Sequence, residues 1–430
     1  MNDPVKIAVA GLGTVGAGLI DLLDRNADLV GARAGRPIRV TSVAARDRGR
    51  DRGIDIGRFT WFDDAASMAA EADCDIVVEL IGGEAGPAKA TVETALDHGR
   101  HVVTANKALL AHHGGALAAL AARRGLALAF EAAVAGGIPV VKALREGLSG
   151  NRIAGIRGIL NGTCNYILTE MAEAGSSFDA VLAEAQRLGY AEADPAFDVD
   201  GIDAAHKLAL LAAMAFGGSI DFDAVSVEGV RGIAAADIAH AEELGFTVKL
   251  LGVAAQREQG VACYVYPCLL PKEAALAGVG GVLNAVTLDG DQVGQLTLIG
   301  PGAGAGPTAS AVAADLVDLA AGRRTPFFGQ GAESMAPLTV LPIARRVGAY
   351  YLRLEVIDRP GVIARITGIL ADHGVSVEDM LQRHAKADQP VSVVLTTHDT
   401  SERAMRTALD QIKALEAVAA EPIMLRIERG

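Results

Sequence analysis

Between Gly189 and Leu208 the chain reads GYAEADPAFDVDGIDAAHKL. Glu192, Asp194, Asp198, Asp200 and Asp203 fall close together there, and His206 and Lys207 follow directly. Carboxylates can take a substrate ammonium, and a lysine beside them can move a proton if its pKa is tuned. Pro195 lacks an amide hydrogen and Gly201 is permissive, so the first part is not a helix interior. From Gly201 onward, IDAAHKLALLAAM consists largely of good helix formers. Asp203 and Lys207 are then four apart on one helix face and can pair. A solvated acidic loop with an ordinary ion pair behind it is the commoner meaning of such a cluster. Here the cluster runs straight into an apolar helix and ends in a lysine, which favours a site.

A site needs elements to position it. VKIAVAGLGTVGAGLIDLL at the start reads as a strand, Val5 to Ala10, then GxGxxG at Gly11, Gly13 and Gly16, then a helix to about Leu23. In that setting the motif is a dinucleotide fingerprint. Gly11 allows the tight turn, Gly13 lets the backbone approach a pyrophosphate, and Gly16 lets helix and strand pack closely. Leu12, Thr14 and Val15 complete the loop, and the helix start offers free amides to phosphate. Near the end of the second strand, IRVTSVAAR, Arg46 stands where an NAD enzyme would carry an acid. A guanidinium suits a ribose 2′-phosphate, so NADP is expected, while Asp47 leaves NAD open.

CDIVVELIGG is a further strand, PAKATVETALDHG a helix, and RHVVTANKALL a strand from Val102 to Thr104 followed by Lys107. Ligands sit at strand C-terminal ends in open α/β sheets, which makes Lys107 a candidate. LALAFEAAVAGGIPVV reads as a strand with a glycine turn, and its Glu131 is either a paired buried carboxylate or a site group. RIAGIRGIL is strand-like. Asn161 and Thr163 both suit the cap of the next helix, whose amides offer a seat for a carboxylate. Asp221 to Thr308 reads as alternating strands and turns, ending in GPGAGAGPTASAVAADLVDLA. This second glycine-rich turn into a helix suggests a return to the nucleotide domain.

The expected plan is an α/β Rossmann-type domain over 1–148, with a parallel sheet completed by 300–322. An α+β substrate and dimerisation domain over 149–299 and a linker over 323–348 follow. A βαββαβ ferredoxin-like domain over 349–430 ends the chain. With 51% hydrophobic but only 4% aromatic residues, the core is built from small aliphatics. A formal charge of −13 argues against nucleic acid and anionic membranes as partners. No uncharged apolar run reaches the length of about eighteen residues needed to span a bilayer. Four cysteines without a CxxC pair argue against a zinc site or disulfide framework, and a cytoplasmic location is expected. The N-terminus reads as a first strand, not a leader.

AGLGTVG at 10–16, TANKALL at 104–110, EAAVAGGIP at 131–139 and NGTCNYIL at 161–168 come in an order that resembles homoserine dehydrogenase. GYAEADPAFDVDGIDAAHKL at 189–208 and GPGAGAGPTASAV at 300–312 extend the likeness nearly end to end, and DRPGVIARITGIL at 358–370 resembles the start of an ACT regulatory domain. With no amino-acid kinase region ahead of the nucleotide domain, the monofunctional form is the match.

The resemblance implies interconversion of L-homoserine and L-aspartate 4-semialdehyde with NAD(P). It implies Lys207 as the acid/base lysine and Lys107 as a second lysine at the reacting centre and cofactor. Glu192, Asp198 and Asp203 fall at substrate-side carboxylates, Gly162, Thr163 and Tyr190 at substrate-proximal positions, and Gly304 at a late cofactor contact. A sodium or potassium ion held by main-chain oxygens of Glu131, Val134, Gly136 and Ile138 is implied too. So are threonine as an effector, near the Arg359-Pro360-Gly361 turn or at a paired-domain interface, and a homodimer or homotetramer.

The residues support this chemistry on their own account. Homoserine carries an ammonium for Glu192 and Asp203 and a carboxylate for the helix end at Thr163. Lys207 can serve as base only if burial and a second cation outweigh Asp203, and the sequence does not decide this. Two alternatives stand beside it. Another ACT-linked dehydrogenase would rely on Arg and His rather than lysine. A non-catalytic nucleotide and amino-acid sensor would not need the acid-and-lysine constellation.

Overall fold

The computed structural model describes residues 3–331, 336–382 and 390–429. Six strands form a parallel sheet in the order Thr60–Phe62, Ile38–Ala44, Val5–Ala10, Ile76–Glu79, His101–Thr104, Leu128–Ala129. The central strand is buried on both faces, as parallel strands are. Its Ile7 and Val9 pack with Leu19 and Ile20 of the Thr14–Arg25 helix. Its Ala8 and Ala10 face Val92, Leu96 and Leu109 on the other side. Strand order reverses beside Val5–Ala10, the switch point where such sheets open a ligand crevice.

The helix Ala305–Ala320 closes this unit, as its glycine-rich start suggested. Ala309, Val312 and Leu316 join the cluster of Ile7 and Val9. A Cβ on Gly18 would lie 3.2 Å from Ala305, so the two helices meet at close range.

A second, largely antiparallel sheet runs Gly294–Pro301, Leu283–Gly290, Ile153–Ile159, Phe246–Arg257, Gly260–Pro271, Ile423–Ile427, Val347–Ile357, Pro390–Thr397, Val377–Gln382. The C-terminal βαββαβ unit is thus continuous with the middle of the chain through the parallel pair Gly260–Pro271 and Ile423–Ile427. Helices Val362–Asp372 and Glu402–Lys413 cover the C-terminal strands over Leu352, Leu354, Ile366, Val393 and Met405.

Two local expectations need correction, and the expected linker is seen to be packed. The region from Asp221 is not all strand and turn, because Ala235–Glu243 forms a helix. Its AADIAHAEE composition is helix-forming, and Asp237 caps the Ala234 amide at 3.1 Å. The LALAFEAAV strand shrinks to Leu128–Ala129, because Glu131 starts a 3₁₀ turn and takes the chain out of the sheet. The segment read as a linker is packed: Phe327 and Phe328 are buried, and Phe327 stacks on Phe130 at 4.2 Å between ring centroids. Within the βαββαβ unit the sequence VSVEDMLQRHA, 375–385, reads as a strand; it is seen as Val377–Gln382, and residues 383–385 lie outside the described residues.

Asp237 is fully buried and accepts from Arg353 at 2.6 and 3.1 Å and from the Tyr351 hydroxyl at 3.1 Å. This pair ties the C-terminal strand Val347–Ile357 to the middle of the chain. Removing one partner of a buried pair strands the other charge, at a cost of about 3–5 kcal/mol. Arg353→Leu is expected to destabilise the protein by that order in denaturant unfolding, and adding Asp237→Asn should recover most of it. A loss below about 1 kcal/mol would show that the pair is not a tie.

Candidate active site

A cleft of about 640 Å³ opens at the switch point, between the parallel sheet and the middle of the chain. Val15, Lys107, Gly136, Gly162, Thr163, Tyr190, Glu192, Asp198, Asp203, Lys207 and Gly304 all line it. Residues far apart in sequence therefore share one cleft.

Lys207 sits on the buried helix Ile202–Phe216, one turn after Asp203. Its Nζ donates to Asp203 Oδ2 at 2.7 Å and to the Leu160 carbonyl at 2.7 Å. Lys107 is the first residue of the helix Lys107–Arg123, whose cap is Asn106. Its Nζ lies 2.9 Å from Asp203 Oδ1. One carboxylate thus receives two lysines, one from each side of the cleft. Asn161 Nδ2 donates to Asp203 Oδ2 and Asp198 Oδ1, both at 2.8 Å.

The electrostatics separate the two lysines. Burial lowers the Lys207 pKa, Lys107 adds to this, and Asp203 opposes it without reversing it. Asp203 raises the Lys107 pKa against burial. Burial pushes Asp203 itself upward, but the two lysines overcome this and hold it well below the usual carboxylate range. Burial and the neighbouring Asp203 push Asp198 above its ordinary value. The question that the residue types left open has an answer: desolvation wins at Lys207.

Asp203, expected to share a substrate ammonium with Glu192, is engaged on both oxygens by the chain itself. Its oxygens are taken by Lys107, Lys207 and Asn161. Glu192 is exposed at the cleft, and Asp198 is held by Asn161 and, at 3.3 Å, by Thr163. Asn161, not Thr163, caps the helix Gly162–Ala174, accepting from the Cys164 amide at 2.8 Å. Thr163 Oγ1 instead donates to the Tyr190 carbonyl at 2.8 Å.

The glycine loop has the shape a dinucleotide requires. Gly11 has φ +97°, and a Cβ there would meet the Leu80 carbonyl oxygen at 2.5 Å. A Cβ on Gly16 would lie 2.1 Å from the Gly11 carbonyl oxygen, whereas around Gly13 nothing lies within 4 Å. Gly13 precedes the helix Thr14–Arg25 with no side-chain cap, so the first amides face open space. The residues fit a bound nicotinamide dinucleotide, with pyrophosphate at this helix start. The Leu12 side chain is buried, so this residue can offer only its backbone. Arg46 is exposed just past Ile38–Ala44, and Asp47 Oδ1 accepts from Gly49 at 2.8 Å.

Glu131 proves to be a paired buried carboxylate. It accepts from the amides of Val141 at 3.0 Å and Lys142 at 2.8 Å, and burial with nearby Asp315 pushes its pKa to about 7. Val134 and Ile138 are buried behind the cleft wall. Sequence reasoning missed two residues. Asn161 was read only as a cap. Asn284 carries no local signal within its strand; its Nδ2 donates at 3.0 Å to the same Leu160 carbonyl that holds Lys207, and its buried Oδ1 has no partner.

The comparisons agree along the whole chain. The family model described as homoserine dehydrogenase, NAD binding domain, matches residues 11–131. The homoserine dehydrogenase model matches 139–317, and the ACT domain model 350–417. Homoserine dehydrogenase from Pseudomonas aeruginosa is 46% identical over 433 residues, covering 99% of each chain. That from Neisseria gonorrhoeae is 43% identical over 431 residues, again with 99% of each. A crystal structure of a homoserine dehydrogenase from Thiobacillus denitrificans superposes with a TM-score of 0.94 at 45% identity, covering 99% of each chain. A hyperthermophilic archaeal homoserine dehydrogenase in complex with NADPH matches with a TM-score of 0.63 at 28% identity, over 74% of this chain and 97% of that one. With this fold, this cleft and these relatives, the chain belongs to the homoserine dehydrogenase family and is an oxidoreductase with a C-terminal ACT domain.

Proposed function

We propose that this enzyme interconverts L-homoserine and L-aspartate 4-semialdehyde in threonine and methionine biosynthesis, with Lys207 as acid/base and NADP as preferred coenzyme. The observation that carries the mechanism is the double lysine contact on Asp203. When bound, the nicotinamide supplies the hydride chemistry; the chain supplies the proton and the alignment.

A neutral lysine has two N–H groups and one lone pair. Lys207 commits two donors to Asp203 and Leu160, which leaves the lone pair for the substrate hydroxyl proton. In the reverse direction the third N–H donates to the aldehyde oxygen. Its lowered pKa makes the neutral form accessible, and Lys107 stays charged to stabilise the developing oxyanion. Glu192 takes the substrate ammonium beside Tyr190, and the free amides at Gly162 and Thr163 take the carboxylate. Gly304 contacts the coenzyme from the opposite wall.

The NADP preference rests on Arg46, with Asp47 already engaged by Gly49. A sodium or potassium ion suits the 131–138 turn. Ala135 and Gly136 are both left-handed there, and among the described residues no hydrogen bond reaches the carbonyls of Val134 and Gly136. Those of Glu131 and Ile138 also accept Val134 and Val140 amides and would share the ion. The domain limits 1–148 with 300–322, 149–299, 323–348 and 349–430, a homodimer or homotetramer, and a cytoplasmic location complete the reading. Among the described residues no helix is long and apolar enough to cross a membrane.

Lys207→Ala should lower turnover by about 10²–10⁴-fold with coenzyme binding nearly intact, whereas Lys107→Ala should impair both. Homoserine oxidation should rise with pH through an inflection below the ordinary lysine value, because the base must be deprotonated. Asp203→Asn removes the charge that opposes deprotonation, so the inflection should move to lower pH. An unmoved inflection would take Lys207 out of the role of base. Homoserine-dependent reduction followed at 340 nm should favour NADP over NAD. Arg46→Ala should raise the KM for NADP alone, and an unchanged coenzyme ratio would remove Arg46 as the selector. Saturating L-threonine, bound near the Arg359-Pro360-Gly361 turn, should inhibit; no change in rate or homoserine KM would rule that effector out.

A further inference from the structure

The C-terminal domain reaches the substrate-binding turn through a charge cluster whose Arg426 and Glu402 are buried and whose Glu228 and Arg406 are partly exposed. Arg426 lies on the last strand and is fully buried, with its guanidinium 4.5 Å from the centre of the Tyr266 ring. It donates to Glu402 at 2.6 and 2.8 Å and to Glu228 at 2.7 and 2.8 Å. Arg406 joins both carboxylates, at 2.9 Å to Glu228 and 2.7 Å to Glu402. Glu402, Arg406 and Arg426 belong to the C-terminal domain, whereas Glu228 belongs to the middle of the chain. Burial raises the Glu228 pKa, but the two arginines outweigh it and keep the carboxylate charged.

Glu228 in turn lies within the strip that holds the acidic stretch. The Glu228 amide donates to the Val265 carbonyl and the Val230 amide to the Val199 carbonyl, both at 2.8 Å. Gly229 presses so closely that a Cβ there would lie 2.2 Å from the Val199 carbonyl oxygen and 2.5 Å from Asp200 Cα. Gly201 has φ +85°, and a Cβ on it would meet Val227 at 3.0 Å. Asp200 pairs with Arg231 at 2.5 Å from the same strip. The segment 199–202 links Asp198 to Asp203, so residues 227–231 back the stretch that carries these two cleft carboxylates.

We propose that Glu228, gripped by Arg426 and Arg406, is a positioning residue for the Asp198–Asp203 segment, so that the C-terminal domain sets homoserine affinity. The device is stiff because Arg426, fully buried, cannot leave the two carboxylates without becoming an unpaired buried charge. A shift of the Glu402–Lys413 helix therefore carries Glu228 with it, and close packing at Gly229 passes the shift to Val199 and Asp200. This rests on the catalytic reading above. It also gives a route for effector control, but it holds with no effector present.

The test is steady-state kinetics on the full chain carrying Glu228→Ala or Glu228→Gln, with and without saturating L-threonine. Glu228→Ala is expected to raise the homoserine KM about three- to tenfold and to leave the NADP KM within about twofold. The Gln variant keeps the shape and part of the hydrogen bonding, and should recover most of the affinity. Homoserine KM unchanged in Glu228→Ala overturns the proposal. So does a loss of turnover with both KM values unchanged, which a merely structural role would give. Should Glu228→Ala fail to fold, Arg406→Gln carries the test, with a smaller shift of homoserine KM expected and none overturning it. A wild-type enzyme indifferent to threonine would defeat threonine control, while the homoserine KM comparison would still decide the role of Glu228.

Discussion

The carboxylate of Asp203 receives Lys207 from its own helix and Lys107 from the nucleotide domain, and the rest of the site depends on that junction. Three charged groups are buried together, so each is tolerable only while the others stay in place. Asn161 and the Leu160 carbonyl complete the hydrogen bonding, which leaves one direction open at the Lys207 nitrogen. The same contact fixes the separation of the Lys107–Arg123 helix from the Ile202–Phe216 helix across the cleft, which on the proposed mechanism sets the coenzyme side against the substrate side. Proton transfer and hydride transfer need both groups aligned at once, and a single carboxylate shared by two lysines provides a rigid ruler.

The architecture serves that ruler from two sides. The parallel sheet buries both faces and delivers the glycine turn and Lys107 at its C-terminal edge. The larger sheet carries the opposite wall and continues without a break into the C-terminal unit. An ACT domain joined by a short parallel strand pair, by Arg353 with Asp237, and by Arg426 with Glu228 is not a loosely tethered module. Motion in it must be paid for at buried ion pairs, which favours discrete rearrangement over gradual drift.

Histidine adds a second contact between the same helices. His206 is buried against Phe222, with ring centroids 4.3 Å apart, and meets His112 of the Lys107–Arg123 helix at 3.4 Å. Burial pushes its pKa down to about 4, so it stays neutral and packs as an aromatic wedge. Its neighbour in sequence, Lys207, points into the cleft, because successive residues on a helix face different directions.

Much of this was legible in the residues themselves. The GxGxxG turn, the Asp203 and Lys207 spacing and the βαββαβ tail are local patterns. Backbone sterics and helical or strand period determine them before any tertiary contact forms. The Ala235–Glu243 helix was misread because its neighbours alternate like strands. The short Leu128–Ala129 strand was misread because the turn at Glu131 depends on amides ten residues away. Only the tertiary structure decided which effect wins at Lys207, since desolvation depends on what is packed around it. It alone showed that Lys107, Lys207 and Asn161 meet on Asp203, that Asn284 shares the Leu160 carbonyl with Lys207, and that Arg426 makes two hydrogen bonds to Glu228. Those facts join residues tens to hundreds of positions apart. Spacing along a chain records local geometry, whereas burial and charge pairing are properties of the packed molecule.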